Sequence, residues 1–141
     1  MKYRDVVKMR STIKQFVRDW SSEGAHEREM CYKPIIEEVC ARLPPSNPDQ
    51  PGGKSSVLHP GAGLGRLAYE FAKRGYKSQG NEFAYFMLLA SNHLINGTHR
   101  KEMHELHPFI HSFSNVKTED QPLRAVLVPD ENPGKKTALR S

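Results

Sequence analysis

The sequence has few cysteines and no long apolar segment, and these two absences exclude several classes of protein. Only two cysteines occur in 141 residues, Cys31 and Cys40, and their spacing matches neither a C-x-x-C redox or zinc motif nor a disulfide framework. The first residues, Met1–Asp5, are charged and lack the apolar core of a signal peptide. No apolar run is long enough to span a bilayer. We therefore expect reduced thiols, no membrane span and a cytoplasmic location, with the nucleus as a second compartment.

Apolar residues are also scarce, at 37% of the chain. A length of 141 residues suits one domain, so the low apolar content predicts a polar tail or an incomplete fold. The 21 Lys and Arg residues exceed the 16 Asp and Glu residues, giving a net charge of +5, but these charges are scattered along the chain. An arginine-rich arm, zinc-finger spacing and RNA-recognition aromatics are all missing. The sequence therefore does not support nucleic-acid binding.

The residue pattern divides the chain into parts. The predicted parts are a helical layer at 1–43, a Pro/Gly-rich loop at 44–55, a partial α/β unit at 56–130 and a disordered tail at 131–141. In the helical layer, apolar residues recur at three- and four-residue steps, which predicts one amphipathic helix over 4–20. A second helix is predicted over 27–43, with Pro34 restarting the helix instead of lying in an unbroken interior.

The α/β unit alternates between strand and helix patterns. Strands are predicted at 56–59 and 76–81, helices at 64–74 and 83–95, and a candidate third strand at 125–128. The strand at 56–59 is expected to be buried, and so is the helix at 83–95 because it is apolar nearly all round. Strand, helix, strand, helix implies a parallel sheet with right-handed crossovers. The predicted fold class is α/β, an incomplete Rossmann-like unit with an N-terminal helical layer.

A glycine-rich turn connects the first predicted strand to the helix that follows it. Gly61, Gly63 and Gly65 stand at alternate positions, where glycine allows a sharp turn and lets a ligand approach the backbone. The following helix aims N–H groups and a partial positive charge at that ligand. Glu82 follows the second strand, within reach of ribose hydroxyls. These residues predict the cofactor half of a Rossmann-like site, and the simpler alternatives are a plain glycine turn and a surface carboxylate.

The glycine spacing distinguishes between two classes of cofactor. A dinucleotide fingerprint reads G-x-G-x-x-G, and its third glycine allows close packing of the helix on the strand. Here the pattern is G-x-G-x-G, and Arg66 occupies the place of that third glycine. This pattern, followed by an acid after the second strand, is similar to the S-adenosylmethionine site of class I methyltransferases. The sequence therefore favours S-adenosylmethionine over a dinucleotide.

Three ordered segments go beyond a generic glycine loop. They are Lys14–Trp20, then Pro60–Leu67, then Gln79–Phe83 with Phe86 and Met87. Together they resemble the carnosine N-methyltransferase family. The resemblance implies a class I methyltransferase that passes the sulfonium methyl of S-adenosylmethionine to an imidazole nitrogen of carnosine, giving anserine. It also implies that Gln15 and Arg18 lie at the cofactor, with Gly61 in the glycine loop and Glu82 on the ribose.

Periodicity alone assigns Gln15 and Arg18 a different position. Both lie opposite the apolar stripe of the first helix, which is typical of a solvated face. The resemblance implies instead that this polar face closes over the cofactor, with Arg18 meeting its carboxylate through a charge-assisted contact. His59 stands where the wider superfamily usually has an acid, and the resembled family lacks that acid as well.

The sequence assigns no catalytic residue and no metal site. Methyl transfer mainly requires an aligned neutral nucleophile and the exclusion of water, so no acid or base is required in this part of the fold. His104, His107 and His111 would share one face of a helix, but Pro108 interrupts that helix. No nearby cysteine completes a set of four metal ligands.

The resemblance also implies more sheet, an adenine contact and an acceptor site after Pro129. Residues 132–141 match nothing in the family, so we expect a C-terminally truncated member that is inactive on its own. Its expected substrate partner is carnosine or a related imidazole dipeptide, and the sequence leaves a homodimer open. Two alternatives remain: a methyltransferase for another small molecule or a protein histidine, and a non-catalytic basic module that binds RNA or a protein.

Overall fold

The computed structural model describes residues 3–47, 49, 52–111, 118 and 120–135. These residues form, in chain order, α1 (Tyr3–Trp20), α2 (Ala25–Arg42), β1 (Ser56–Pro60), α3 (Arg66–Lys73), β2 (Lys77–Asn81), α4 (Tyr85–Asn92), β3 (His104–Leu106) and β4 (Val126–Val128). Short helical turns occupy His93–Gly97, Gln121–Leu123 and Pro133–Lys135. Across the described part of the chain, every helix is too short or too polar to cross a membrane.

The two N-terminal helices are confirmed, but the predicted restart at Pro34 is wrong. α2 runs without interruption from Ala25 to Arg42 and includes Pro34. The proline ring lies on the exposed side of the helix, while Arg28 and Ile36 are buried on the turns before and after it. Tertiary packing of those turns therefore overrides the local preference of proline to break a helix.

The parallel pairing of the two central strands is confirmed. β1 pairs with β2 in parallel, with Ser56 opposite Lys77 and Pro60 opposite Asn81. The predicted burial of β1 is wrong, because His59 is buried whereas the neighbouring Leu58 is 56% exposed. Successive side chains of a strand point to opposite faces of the sheet, and Leu58 lies on the face opposite to that of His59. Both strands end at the same edge, where the glycine loop and Glu82 lie.

The predicted burial of the helix at 83–95 holds for Leu94, which is fully buried, but is wrong for α4. α4 contains no buried residue, and Tyr85 and Leu89 are 69% and 52% exposed. Only one side of α4 packs on the core, through Met87 and Ala90. Its composition is apolar on every side, but within the described residues only that one side is covered.

The candidate third strand forms, but it joins a different sheet. β4 pairs antiparallel with β3, with His104 opposite Val128, and neither strand pairs with β1 or β2. Val126 and Val128 are buried in the cluster that contains Trp20. His104 lies in this strand, so it does not share a helix with His107 and His111.

The segment after β4 is ordered where it is described, so the predicted disorder from residue 131 is wrong for residues 131–135. The Glu131 carboxylate accepts hydrogen bonds from Arg66, Tyr69 and Lys73. Those three partners lie on α3, so ion pairing holds a segment that has no apolar pattern. Residues 136–141 of the predicted tail, and residues 48, 50 and 51 of the predicted loop, lie outside the described residues. The limits of the four predicted parts stay predictions.

Candidate functional site

The glycine loop turns through left-handed backbone conformations between β1 and α3. Gly61, Gly63 and Gly65 have φ angles of +64°, +56° and +76°, a region that side-chain-bearing residues rarely adopt. The Ala62 N–H donates to the Asn81 carbonyl at 2.8 Å, which ties the loop to the end of β2. The loop is therefore fixed beside the residue that follows β2, which is Glu82.

The Glu82 carboxylate binds the loop on one side and the approach to α4 on the other. One oxygen, Oε2, accepts the Gly63 N–H at 2.8 Å. The other, Oε1, accepts the N–H groups of Phe83 at 2.8 Å and Ala84 at 2.7 Å. The hydrogen bond from Ala84, with those from Gly63 and Phe83, lowers the pKa of Glu82. The side chain is therefore an ionised acceptor at neutral pH. It joins the glycine loop to the residues that precede α4.

A cavity of about 640 Å³ lies over the loop. Five of the six residues predicted at the cofactor line it: Gln15, Arg18, Gly61, Gly63 and Glu82. The volume is within the range of roughly 300–1,000 Å³ that small-molecule sites occupy. The space beside Gly61 is open, since a Cβ built there would meet no atom within 4 Å. The structure thus brings residues of α1 and of the α/β unit to one cleft.

Gly65 is not among the residues that line this cleft. A Cβ at that position would stand 2.9 Å from Ser91 Oγ and 3.0 Å from Ile95 Cδ1. In the described structure, the absence of a side chain at Gly65 lets the start of α3 approach α4 and the helical turn His93–Gly97 closely. Gly65 therefore contributes packing, while Gly61 and Gly63 form the wall of the cavity.

The polar face of α1 lies over the loop, as only the family resemblance implied. Gln15 Oε1 stands 3.4 Å from the position that a Cβ on Gly63 would take. Arg18 donates to both carboxylate oxygens of Asp19, at 2.7 Å and 3.1 Å, and this pairing raises the pKa of Arg18. Asp19 also accepts the Tyr32 hydroxyl at 3.0 Å. Arg18 is therefore always positively charged, and Asp19 fixes its guanidinium in the wall of the cavity.

His59 also lines the cavity, and its protonation is set by its neighbours. The Ser78 hydroxyl donates its proton to the Ala68 carbonyl at 2.8 Å and lies 3.0 Å from His59 Nε2. Because that hydroxyl proton is already used, Nε2 must be the donor and Nδ1 the unprotonated nitrogen. Burial lowers the pKa of His59, which favours this neutral form.

Sequence reasoning missed the buried charges that join α2 and α3 to the segment after β4. Arg28 and Asp130 form an ion pair at 2.5 Å although 102 residues separate them. The second oxygen of Asp130 accepts Arg66 Nη1, also at 2.5 Å. No local pattern marks this contact, because neither residue belongs to a motif and their proximity depends on the complete fold. Among the described residues, no group of three His, Cys, Asp or Glu side chains could hold a metal ion.

Comparison with known proteins gives a consistent group of relatives. A sequence profile for the family described as Carnosine N-methyltransferase matches residues 1–141, so the expectation that residues 132–141 match nothing in the family is wrong. The Carnosine N-methyltransferase of Rattus norvegicus is 46% identical over 129 residues, which are 92% of this chain and 32% of that protein. The Carnosine N-methyltransferase of Schizosaccharomyces pombe is 44% identical over 126 residues, which are 89% of this chain and 33% of that protein. The chain thus spans about a third of the length of these curated relatives.

Proposed function

The chain belongs to the carnosine N-methyltransferase family, and from that premise we propose that its cleft is the S-adenosylmethionine site of a class I methyltransferase. One observation carries the proposal. The glycine loop and Glu82 meet at the ends of two parallel strands, joined by the hydrogen bond from Gly63 N–H to Glu82 Oε2 at 2.8 Å. Nucleotide cofactors bind at this edge in open α/β sheets. We propose accordingly that the α/β unit is an incomplete Rossmann-like fold.

The residues of the cleft fit the chemical groups of this cofactor. Glu82 is ionised, and its Oε2, which accepts only the Gly63 N–H, can still accept a hydrogen bond from a ribose hydroxyl. Arg18 supplies a cation for a carboxylate, and Gln15 supplies an amide to the same cavity. Gly61 leaves open space in which a ligand can contact the backbone. When bound, the cofactor supplies a methyl group on a sulfonium, which is the group to be transferred.

The proposed contribution of this chain to the reaction is binding and orientation. Arg18 would hold the carboxylate end of the cofactor, Glu82 would hold its ribose, and the glycine loop would contact the part between them. Holding a donor in one orientation lowers the entropic cost of an in-line transfer. A catalytic acid or base is not assigned to any described residue, because a neutral imidazole nitrogen is itself the nucleophile.

The acceptor is proposed from the names of the relatives. Those proteins are called carnosine N-methyltransferases, so we propose carnosine as the acceptor and anserine as the product of the whole protein. For the 141-residue chain by itself we expect cofactor binding without turnover. Its cleft is open to water, since Phe83 next to Glu82 is 99% exposed and Leu58 is 56% exposed. The cytoplasmic or nuclear location and the homodimer stay predictions.

A ligand series tests the proposal. Calorimetric titration of the 141-residue chain with S-adenosylhomocysteine should give saturable binding, whereas NAD⁺ should give none. Incubation with labelled S-adenosylmethionine and carnosine should give no labelled product. Tighter binding of NAD⁺ would contradict the assignment of the cofactor, and robust formation of anserine would contradict the expectation of binding without turnover.

A further inference from the structure

The C-terminal turn of α1 is capped by a side chain from α2. The last carbonyl groups of a helix lack partners within the helix. In this case Arg28 Nη1 donates to the Arg18 carbonyl at 2.6 Å and to the Ser21 carbonyl at 2.8 Å. Arg28 is buried, with 7% of its surface exposed. Its guanidinium therefore takes the place of the water that would normally satisfy these carbonyls.

The backbones of the two helices meet closely at this cap. A Cβ on Gly24, the residue before α2, would lie 2.1 Å from the Arg18 carbonyl oxygen. A side chain at that position cannot reach the end of α1 without displacing it. The cap must therefore come from farther along α2, and Arg28 is one helical turn beyond Gly24.

Asp130 orients Arg28. Its Oδ2 accepts Arg28 Nη2 at 2.5 Å, and its Oδ1 accepts Arg66 Nη1 at 2.5 Å. Its own N–H donates to the Trp20 carbonyl at 2.7 Å, at the end of α1. Asp130 by itself thus contacts the end of α1, the capping Arg28 of α2 and Arg66, the first residue of α3.

The capped turn carries a residue of the proposed cofactor site. Arg18 contributes its carbonyl to the cap and its side chain to the cavity wall, so a shift of the turn moves the guanidinium. Arg28 also lines the cavity, but Nη1 and Nη2 are directed at protein groups. Lysine could keep the charge, but its single ammonium lacks the planar fork that reaches two carbonyls and a carboxylate.

We propose that Arg28 and Asp130 are positioning residues for the cofactor: Asp130 orients Arg28, and Arg28 caps α1 and so fixes Arg18 at the carboxylate end of the cleft. This inference rests on the proposed function, because it assumes that Arg18 binds the cofactor carboxylate. A purely structural pair would affect all ligands of the cleft equally. A positioning pair affects only ligands that reach Arg18.

Two ligands separate these cases. S-Adenosylhomocysteine carries the amino-acid carboxylate, and 5′-methylthioadenosine lacks it. In Arg28→Lys and Asp130→Asn we expect the Kd for S-adenosylhomocysteine to rise by about tenfold or more, as for the loss of a charge-assisted contact. The Kd for 5′-methylthioadenosine should change by less than about twofold. The matched controls are Arg42→Lys and Glu29→Gln, exposed residues whose ion pairs with Glu38 and Lys33 lie outside this network, and neither should change either Kd.

A double-mutant cycle tests the route of the effect. If Arg28 acts through Arg18, Arg28→Lys should add nothing to the Kd of an Arg18→Gln chain. The fluorescence of Trp20, the single tryptophan, checks that each variant is folded, because this ring stacks 4.9 Å from the Arg66 guanidinium. If Asp130→Asn does not fold, Arg28→Lys, which keeps the positive charge, is the variant that tests the proposal.

Each outcome decides one question. Equal losses for both ligands, or additive effects in the cycle, would overturn the positioning role while leaving the cofactor site intact. If the unmodified chain bound neither ligand, the proposed function would fail, and this inference with it. A selective and non-additive loss for S-adenosylhomocysteine supports both.

Discussion

At the scale of single residues, Glu82 is the acid on which the glycine loop depends. Three backbone N–H groups, those of Gly63, Phe83 and Ala84, converge on its two oxygens. Hydrogen bonds to a charged acceptor stabilise more than neutral ones do. The same side chain therefore shapes the loop and presents the remaining acceptor site of Oε2 to the cleft.

Replacing Glu82 by Gln should loosen the loop. The amide NH₂ of glutamine cannot accept, so at least one of the three N–H groups loses its partner. We expect amide hydrogen exchange at Gly63 and Ala84 to become about tenfold faster or more, from the loss of about 1.5–3 kcal/mol for a hydrogen bond to a charged group. Glu29→Gln, at an exposed ion pair with Lys33, is the control. Unchanged exchange in Glu82→Gln would contradict the assigned hydrogen bonds.

The pKa of Glu82 gives this contact a pH dependence. Its folded pKa is lower than its ordinary value, so the carboxylate contributes fully to stability above the ordinary value. The contribution is lost as the pH falls through the depressed folded pKa. Protection of the Gly63 amide should therefore persist at neutral pH and decline only in acid, and a decline at neutral pH would contradict this account.

His59 should be neutral and protonated on Nε2. Burial lowers its pKa, so the unfolded chain binds more protons than the folded chain between the folded value and the ordinary value of 6.5. Stability contributed by the neutral ring is therefore complete above the ordinary value and lost as the pH falls toward the folded value. Nitrogen NMR of the imidazole measures both the tautomer and the pKa. Protonation on Nδ1 of the neutral ring would contradict the assigned contact with Ser78, and a pKa above 6.5 would contradict the effect of burial.

At the scale of secondary structure, α2 tolerates a proline that costs it stability. Pro34 is exposed and lies in the interior of the helix, where it removes one hydrogen bond of the helix. Pro34→Ala should therefore raise the free energy of unfolding by about 1–3 kcal/mol, since proline is about 3 kcal/mol less favourable than alanine in a helix interior. Urea denaturation measures the change. A lower free energy of unfolding would show that the ring has a packing role.

Gly61 and Gly65 have similar backbone conformations but different neighbours, so alanine should affect them differently. At Gly65 the new methyl meets Ser91 and Ile95, and we expect a loss of about 2 kcal/mol or more from strain and overpacking. At Gly61 the space is open, and only the backbone strain of about 1 kcal/mol applies. Thermal unfolding of both variants measures the difference. Equal losses would contradict the assigned packing role of Gly65.

The elements that sequence patterns predict well are those with a local cause. α1 follows from its apolar periodicity, and the path from β1 to β2 follows from the glycines that only a tight turn requires. Three other features have no local cause: the exposed sides of α4, the pairing of β3 with β4 and the Arg28–Asp130 contact. They depend on which surfaces meet after the chain has folded. Periodicity alone predicts that the polar face of α1 is exposed to solvent, and only the family resemblance implies that this face lies at the cleft.

At the scale of the whole molecule, the cleft lies between a helical layer and an α/β unit that buried charges hold together. Arg28 of α2 pairs with Asp130 across 102 residues of chain, and Trp20 Nε1 of α1 donates to the Leu64 carbonyl at 3.0 Å. The net charge of +5 leaves the alternative of a basic module that binds RNA. Such binding would weaken steeply with salt and would not depend on the glycine loop.

The most direct test of the central claim is calorimetric titration of S-adenosylhomocysteine into the 141-residue chain and two matched pairs of variants. Gly61→Val and Glu82→Ala alter the proposed site. Gly52→Val and Glu29→Ala are the controls, because Gly52 also has a positive φ and open space, and Glu29 is an exposed carboxylate. We predict saturable binding by the unmodified chain and both controls, and none by Gly61→Val or Glu82→Ala. Absence of binding by the unmodified chain, or equal binding by all five proteins, would contradict the assignment of this cleft.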